Sequence, residues 1–231
     1  MDSFLQTGLH RFVSDGAIFM WAILAVSLLS VFIAIERYLA LRFRFGIDAR
    51  RLFNEIKKYL TAKDYARALE ICKQSPRVPL AEVLGAGLAN IEEPIEEIDT
   101  AMESEAFYYV PKISERIGYL GVLANIATLL GLLGTISGLI ASFHAIGGEA
   151  TVDGVSKGEA LAAGISVAMY TTAFGLVVAI PALFVHHYLM SWANRLIDDI
   201  QHYSTALKKI IQRIHGHDHS DEKPSKKKDA A

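Results

Sequence analysis

The chain has 231 residues, 52% of them apolar, a formal net charge of −2 and a single cysteine, Cys72. The near-neutral total hides a segregation: three long stretches carry no Asp, Glu, Lys or Arg, while the segments between them are rich in all four. That pattern excludes an ordinary soluble enzyme and points to a membrane protein, and one cysteine excludes an internal disulfide or a cysteine-based metal cluster.

Residues 1–15 read as an N-terminal segment outside the membrane. Only Arg11 precedes the first apolar run and no small-residue cleavage site follows it closely, so no cleavable signal is expected. The run from Gly16 to Ile35 would span about 30 Å as a helix, enough for the hydrocarbon core. Trp21 and Tyr38 stand near its ends as interfacial aromatics do, and the first transmembrane helix is placed at 16–39.

Residues 40–115 read as a cytoplasmic helical domain. Tyr65, Ala68, Leu69 and Cys72 form an amphipathic stripe within Lys63 to Gln74, which Pro76 and Pro79 end. A helix over Leu80 to Ile91 follows, and Pro94 opens another with Glu92, Glu93, Glu96 and Glu97 near its positive end. Helix-end electrostatics and a solvated face account for those acids. Ile95, Ile98, Met102 and Tyr109 share one side of that helix, and a kink or break is expected at Pro111.

The second span is placed at 116–145 and the third at 160–189, joined by a short outside loop at 146–159. Both exceed what the bilayer needs and are expected to tilt or to project on the cytoplasmic side. A cytoplasmic helix at 190–213 and a low-complexity, disordered tail at 214–231 complete the chain. His215, His217 and His219 alternate in that tail; a solvated tail explains them more simply than a metal site. Arg37, Arg42, Arg44, Arg50 and Arg51 follow the first span, Arg116 precedes the second, and Arg195, Lys208, Lys209 and Arg213 follow the third. The positive-inside rule then puts the N-terminus outside and the C-terminus inside.

Small residues carry the functional signal. Gly121, Ala124, Thr128, Gly131, Thr135, Gly138 and Ser142 recur at alternating steps of three and four along the second span. Gly134 and Gly138 add a small-xxx-small pair on the neighbouring face. The third span repeats the device with Gly164, Ala168, Thr172, Gly175, Ala179 and Ala182; Thr171 lies beside Thr172, and Pro181 sits deep in the span. Lipid gives no hydrophobic push between helices, so close backbone approach through small residues drives association. Two readings of Thr135 and Thr172 stand: each hydroxyl bonds a carbonyl one turn back, or both face a shared lumen. No Asp, Glu, Lys or Arg lies within the spans save Glu36 and Arg37 at the end of the first and Arg116 at the start of the second, so a proton path needs an ionisable group from a partner.

The runs LLGLLGTISGLIASF (129–143) and GISVAMYTTAFGLVVAIPA (164–182) resemble the two signature helices of the ExbB/TolQ/MotA proton-channel family. Three spans favour its ExbB/TolQ branch. The resemblance implies an all-α membrane fold that assembles as a ring, a pentamer in relatives, in the bacterial inner membrane. It implies a single-span partner of ExbD/TolR/MotB type whose intramembrane Asp carries the proton, so that ion flow drives mechanical work on the periplasm or outer membrane. It places Thr135, Thr172 and Thr171 on the ion pathway and Gly131, Gly134, Gly138, Gly164, Gly175 and Pro181 in helix packing around the pore. Where ExbB and TolQ members carry a Glu, this chain has Val167. The alternative reading is a non-conducting oligomeric scaffold. A permease subunit lacks support, because there is no internal repeat or binding-site charge. No phosphate loop, catalytic triad or paired intramembrane acid marks an enzyme, and no cofactor is expected.

Overall fold

A computed structural model describes residues 17–44, 48–75, 78–147 and 157–221. The expectations for the N-terminal segment, Pro76, most of the loop after the second span and the end of the tail lie outside the described residues. So do the side chains of His215, His217 and His219. Among the described residues seven α-helices run in order: α1 Ala17–Leu39, α2 Ala49–Thr61, α3 Tyr65–Gln74, α4 Pro79–Ala89, α5 Ile95–Ser114, α6 Ile117–Gly147 and α7 Lys157–Asp221. A π-helical turn, Ala40–Arg44, follows α1, and no strand occurs among the described residues. Among the described residues three stretches are long and apolar enough to cross a membrane: Ile18–Arg42, Ile95–His144 and Lys157–Ile214.

The chain divides into two compact units, one formed by residues 1–38 and 116–190, the other by residues 39–115 and 191–231. In the first, α1 buries Met20, Ile23 and Ser30 on one stripe. Its Val26 packs, with Val178, on a cluster of Ala124, Ala127, Ala179 and Ala182 from α6 and α7. Arg116 donates to both carboxylate oxygens of Glu36, at 3.2 and 3.4 Å, and ties the start of α6 to the end of α1.

In the second unit the local sequence rules are followed closely. Asp48 caps α2 by accepting from the amides of Arg50 and Arg51, and Asp64 caps α3 by accepting from Arg67. Pro79 stands at the start of α4, where its missing N–H removes no helical bond. Ala68 and Cys72 of the expected α3 stripe are buried, as are Ile98 and Met102 of α5. Helix α2 packs on α3, α3 on α4 and α4 on α5. On α7, Ala193, Ile200 and Leu207 recur every seven residues and are buried, a coiled-coil-like rhythm. Phe53 of α2 meets Tyr203 with ring centroids 4.8 Å apart, and Lys208 pairs with Asp99 of α5.

Two boundaries differ from expectation. Pro111 lies inside α5, and the interruption comes later, at Glu115 and Arg116, where Arg116 adopts φ of 61°. Proline deprives the Phe107 carbonyl of its helical partner, but both residues lie on an exposed side where water serves instead. Helix α7 runs unbroken through Pro181 and on to Asp221, past residue 214 where the tail was placed, about 97 Å of helix at 1.5 Å per residue.

Candidate functional site: the hydroxyl flank of the α6–α7 pair

Helices α6 and α7 meet through backbone rather than side chains. A Cβ placed on Gly175 would lie 2.7 Å from the Ala127 carbonyl oxygen and 3.1 Å from Gly131 Cα. One placed on Gly131 would lie 3.2 Å from Thr172 Cα, and one on Gly138 would meet Ala168 Cβ at 3.0 Å. Gly164 faces Ser142 so closely that any side chain there would collide with its hydroxyl. Contacts pair early positions of one helix with late positions of the other, so the two run antiparallel. Five of the six packing residues expected from sequence, Gly131, Gly134, Gly138, Gly164 and Gly175, take part in this contact. Pro181 does not: it is exposed on α7.

The seam is offset from the stripes read in sequence. On α6 the buried row is Leu120, Ala124, Ala127, Gly131 and Gly134; on α7 it is Ala168, Thr171, Gly175, Ala179 and Ala182. The expected stripe ran through Thr128 and Thr135 on α6 and through Thr172 on α7. All three instead border the seam. Small residues fill two adjacent rows of α6, and only the approach of α7 selects which row closes.

This offset separates the three threonines expected on the ion pathway. Thr171 is 1% exposed and donates to the Ala168 carbonyl, with its hydroxyl 2.6 Å from where a Gly134 Cβ would stand. It is buried against the glycine opposite. Thr135 donates to the Leu132 carbonyl at 2.6 Å and Thr128 to the Ala124 carbonyl at 3.1 Å, bonds within one turn. Thr172 behaves differently: its hydroxyl crosses to α7's partner helix and donates to the Gly131 carbonyl at 3.0 Å.

That carbonyl is also the one four residues before Thr135, which receives the Thr135 amide in an α-helix. Thr172 and Thr135 therefore stand within about one helical turn of each other along the pair. In antiparallel helices, rotation from the seam toward higher residue number at about 100° per residue leads to the same side on both partners. Thr128, Thr135 and Thr172 share that flank. Val167 lies about 140° around α7 from Thr172 by the same rotation, on the opposite flank. Sequence reading passed over Thr128 as a pathway candidate and Gly131 as an acceptor. The spacing of seven between the α6 threonines was the available signal.

Each hydroxyl spends its proton on a carbonyl and keeps lone pairs to accept a hydrogen bond. The flank is thus a row of acceptors without formal charge, bordered by exposed Leu132, Leu139, Met169 and Leu176. Residues 76–202, just over half of the chain, match the MotA/TolQ/ExbB proton channel family. The chain belongs to that family. A comparison with curated proteins finds no match.

Proposed function

We propose that this chain is the channel subunit of a motor driven by proton-motive force in the bacterial inner membrane, of the three-span ExbB/TolQ branch. The observation that carries the reading is the hydroxyl flank beside a closed seam. Glycine-to-backbone contact leaves no lumen between α6 and α7 of one chain, so protons pass outside the pair, between copies in a ring and against a helix from a partner. Thr128, Thr135 and Thr172 line the copy's side of that path.

The partner is a single-span protein of ExbD/TolR/MotB type with an intramembrane Asp. When that carboxyl is protonated, its O–H donates to a threonine oxygen of the flank. When it is ionised it needs donors, and Thr172 turns its hydroxyl from Gly131 toward it. The turn costs little because the Gly131 carbonyl keeps its helical amide partner. The flank thus has a different hydrogen-bond arrangement for each protonation state, and proton release moves the partner helix relative to the ring. Each charge crossing the membrane releases about 2.3 kcal/mol per 100 mV. With Val167 where the resemblance places a Glu, titration rests on the partner carboxyl alone. The N-terminus is periplasmic, the polar helical unit and C-terminus are cytoplasmic, and the work is delivered to the periplasm or outer membrane.

A non-conducting scaffold is the competing reading, and one observation favours it: Thr128, Thr135 and Thr172 already donate to carbonyls within the chain. Proton flux in liposomes containing the chain and its co-purifying single-span partner separates the two. Thr172→Val is expected to abolish flux while the assembly still purifies intact. Wild-type flux in that variant removes Thr172 from the path, and no flux from the intact wild-type complex favours the scaffold.

A further inference from the structure

The polar unit carries two exposed aromatic side chains on α5. Phe107 is 79% exposed and Tyr108 lies beside it, with the Lys112 ammonium 3.2 Å from the Tyr108 ring centroid. Among the side chains of this unit whose burial is described, the only other large exposed apolar one is Leu39, at its boundary. In a unit whose surface is otherwise polar, an isolated aromatic patch marks a contact. The same exposed side of α5 continues through Glu103 and Thr100 to Glu97 and Glu96. It is apolar at one end and acidic at the other.

The complement stands on the same chain. The exposed side of α2 carries Arg50, Arg51, Lys57 and Lys58, with Glu55 the only acid among the exposed residues of that helix. Helices α2 and α5 lie at opposite ends of the packing order α2–α3–α4–α5. Each turns its buried residues inward, Leu52, Ile56 and Leu60 on α2 and Ile98 and Met102 on α5. One unit therefore presents an acidic, aromatic edge and a basic edge that are distinct patches.

We infer that α5 of one copy docks on α2 of the next, with Phe107 and Tyr108 as the apolar anchor and Glu96, Glu97 and Glu103 facing the α2 cations. Two different patches meeting head to tail make a heterologous interface, which closes into a ring when its rotation permits. Aromatic anchors with a charged surround are what interfaces require, the charges fixing partner and register. This names the subunit contact of the proposed channel and rests on that reading.

The test uses the full chain in its native membranes, with Phe107→Cys labelled by a benzophenone maleimide. Burial, followed by the nearby Glu82 charge, raises the Cys72 thiol to about 11, so labelling is confined to the new cysteine. Light is expected to give an adduct of twice the chain mass whose cross-linked peptide lies in α2. Lys57→Glu with Lys58→Glu is expected to lower its yield at least tenfold, and adding Glu96→Lys with Glu97→Lys to restore it. An adduct with α5 of a second copy, with another protein or with lipid alone overturns the inference, as does a yield indifferent to the charge changes. Such a result alongside intact proton flux discards only this contact and leaves the channel reading standing. An α2 adduct without flux does the reverse.

Discussion

The two units of this chain solve packing by opposite means. In the polar unit the buried residues include Leu52, Ile56, Leu60, Leu84, Ile98 and Leu207, large side chains removed from water. Between α6 and α7 of the other unit they are Ala124, Ala127, Ala168, Ala179 and Ala182, with glycines between them. Water rewards the burial of apolar area, roughly 25 cal/mol per Å², whereas lipid is as apolar as leucine and rewards only close contact and satisfied polar groups. Enlarging a residue should therefore harm one unit, and shrinking a residue the other.

The largest effect is expected from Gly175→Leu. Its side chain meets the Ala127 carbonyl and Gly131 backbone, neither of which can move aside as a flexible side chain would. The α6–α7 pair should separate and no monodisperse complex should elute on size exclusion, whereas Gly118→Leu, with open space around its Cβ position, should elute as wild type. Normal assembly of the Gly175 variant would break the comparison. Next comes Leu84→Ala, which opens a cavity among the buried residues of α4 and should destabilise the polar unit by about 2–5 kcal/mol in denaturant unfolding.

The smallest effect concerns Asp199, which lines a cleft with Leu52, Val78, Leu80 and Ile200. Burial first, then the neighbouring Asp198 and Asp48 charges, push its carboxyl above the usual 3.8, against the opposing pull of His202. A raised native value means that the native state binds its proton more tightly than the unfolded chain. The resulting stability is complete below 3.8 and is lost as pH rises through the native value. Asp199→Asn should raise the melting temperature slightly at neutral pH, by an increment that disappears toward about pH 4. An increment that grows on acidification would reverse the assigned sign.

The threonines show how far a linear reading reaches. Period-three-and-four spacing picked out the faces that contain the seam, because small residues there have no better use in lipid. It did not choose between Thr171 and Thr172, one step apart and identical in chemistry. Nor did it assign a hydroxyl to a carbonyl 41 positions away in sequence. Pro111 shows the same limit from the other side: a residue with a strong intrinsic preference sits where solvent relieves it, and the chain turns at Arg116 instead.

By itself the sequence determined the helical class, the three spans and the amphipathic stripes of the polar unit, since each follows from local composition and periodicity, and the resemblance of its two signature runs pointed to the family. The tertiary structure alone decided which row of small residues closes, which threonine hydroxyls stay on an accessible flank, and which edges of the polar unit remain uncovered. Those depend on the rotation of one helix against another, and that rotation is fixed by contacts between residues far apart in the chain.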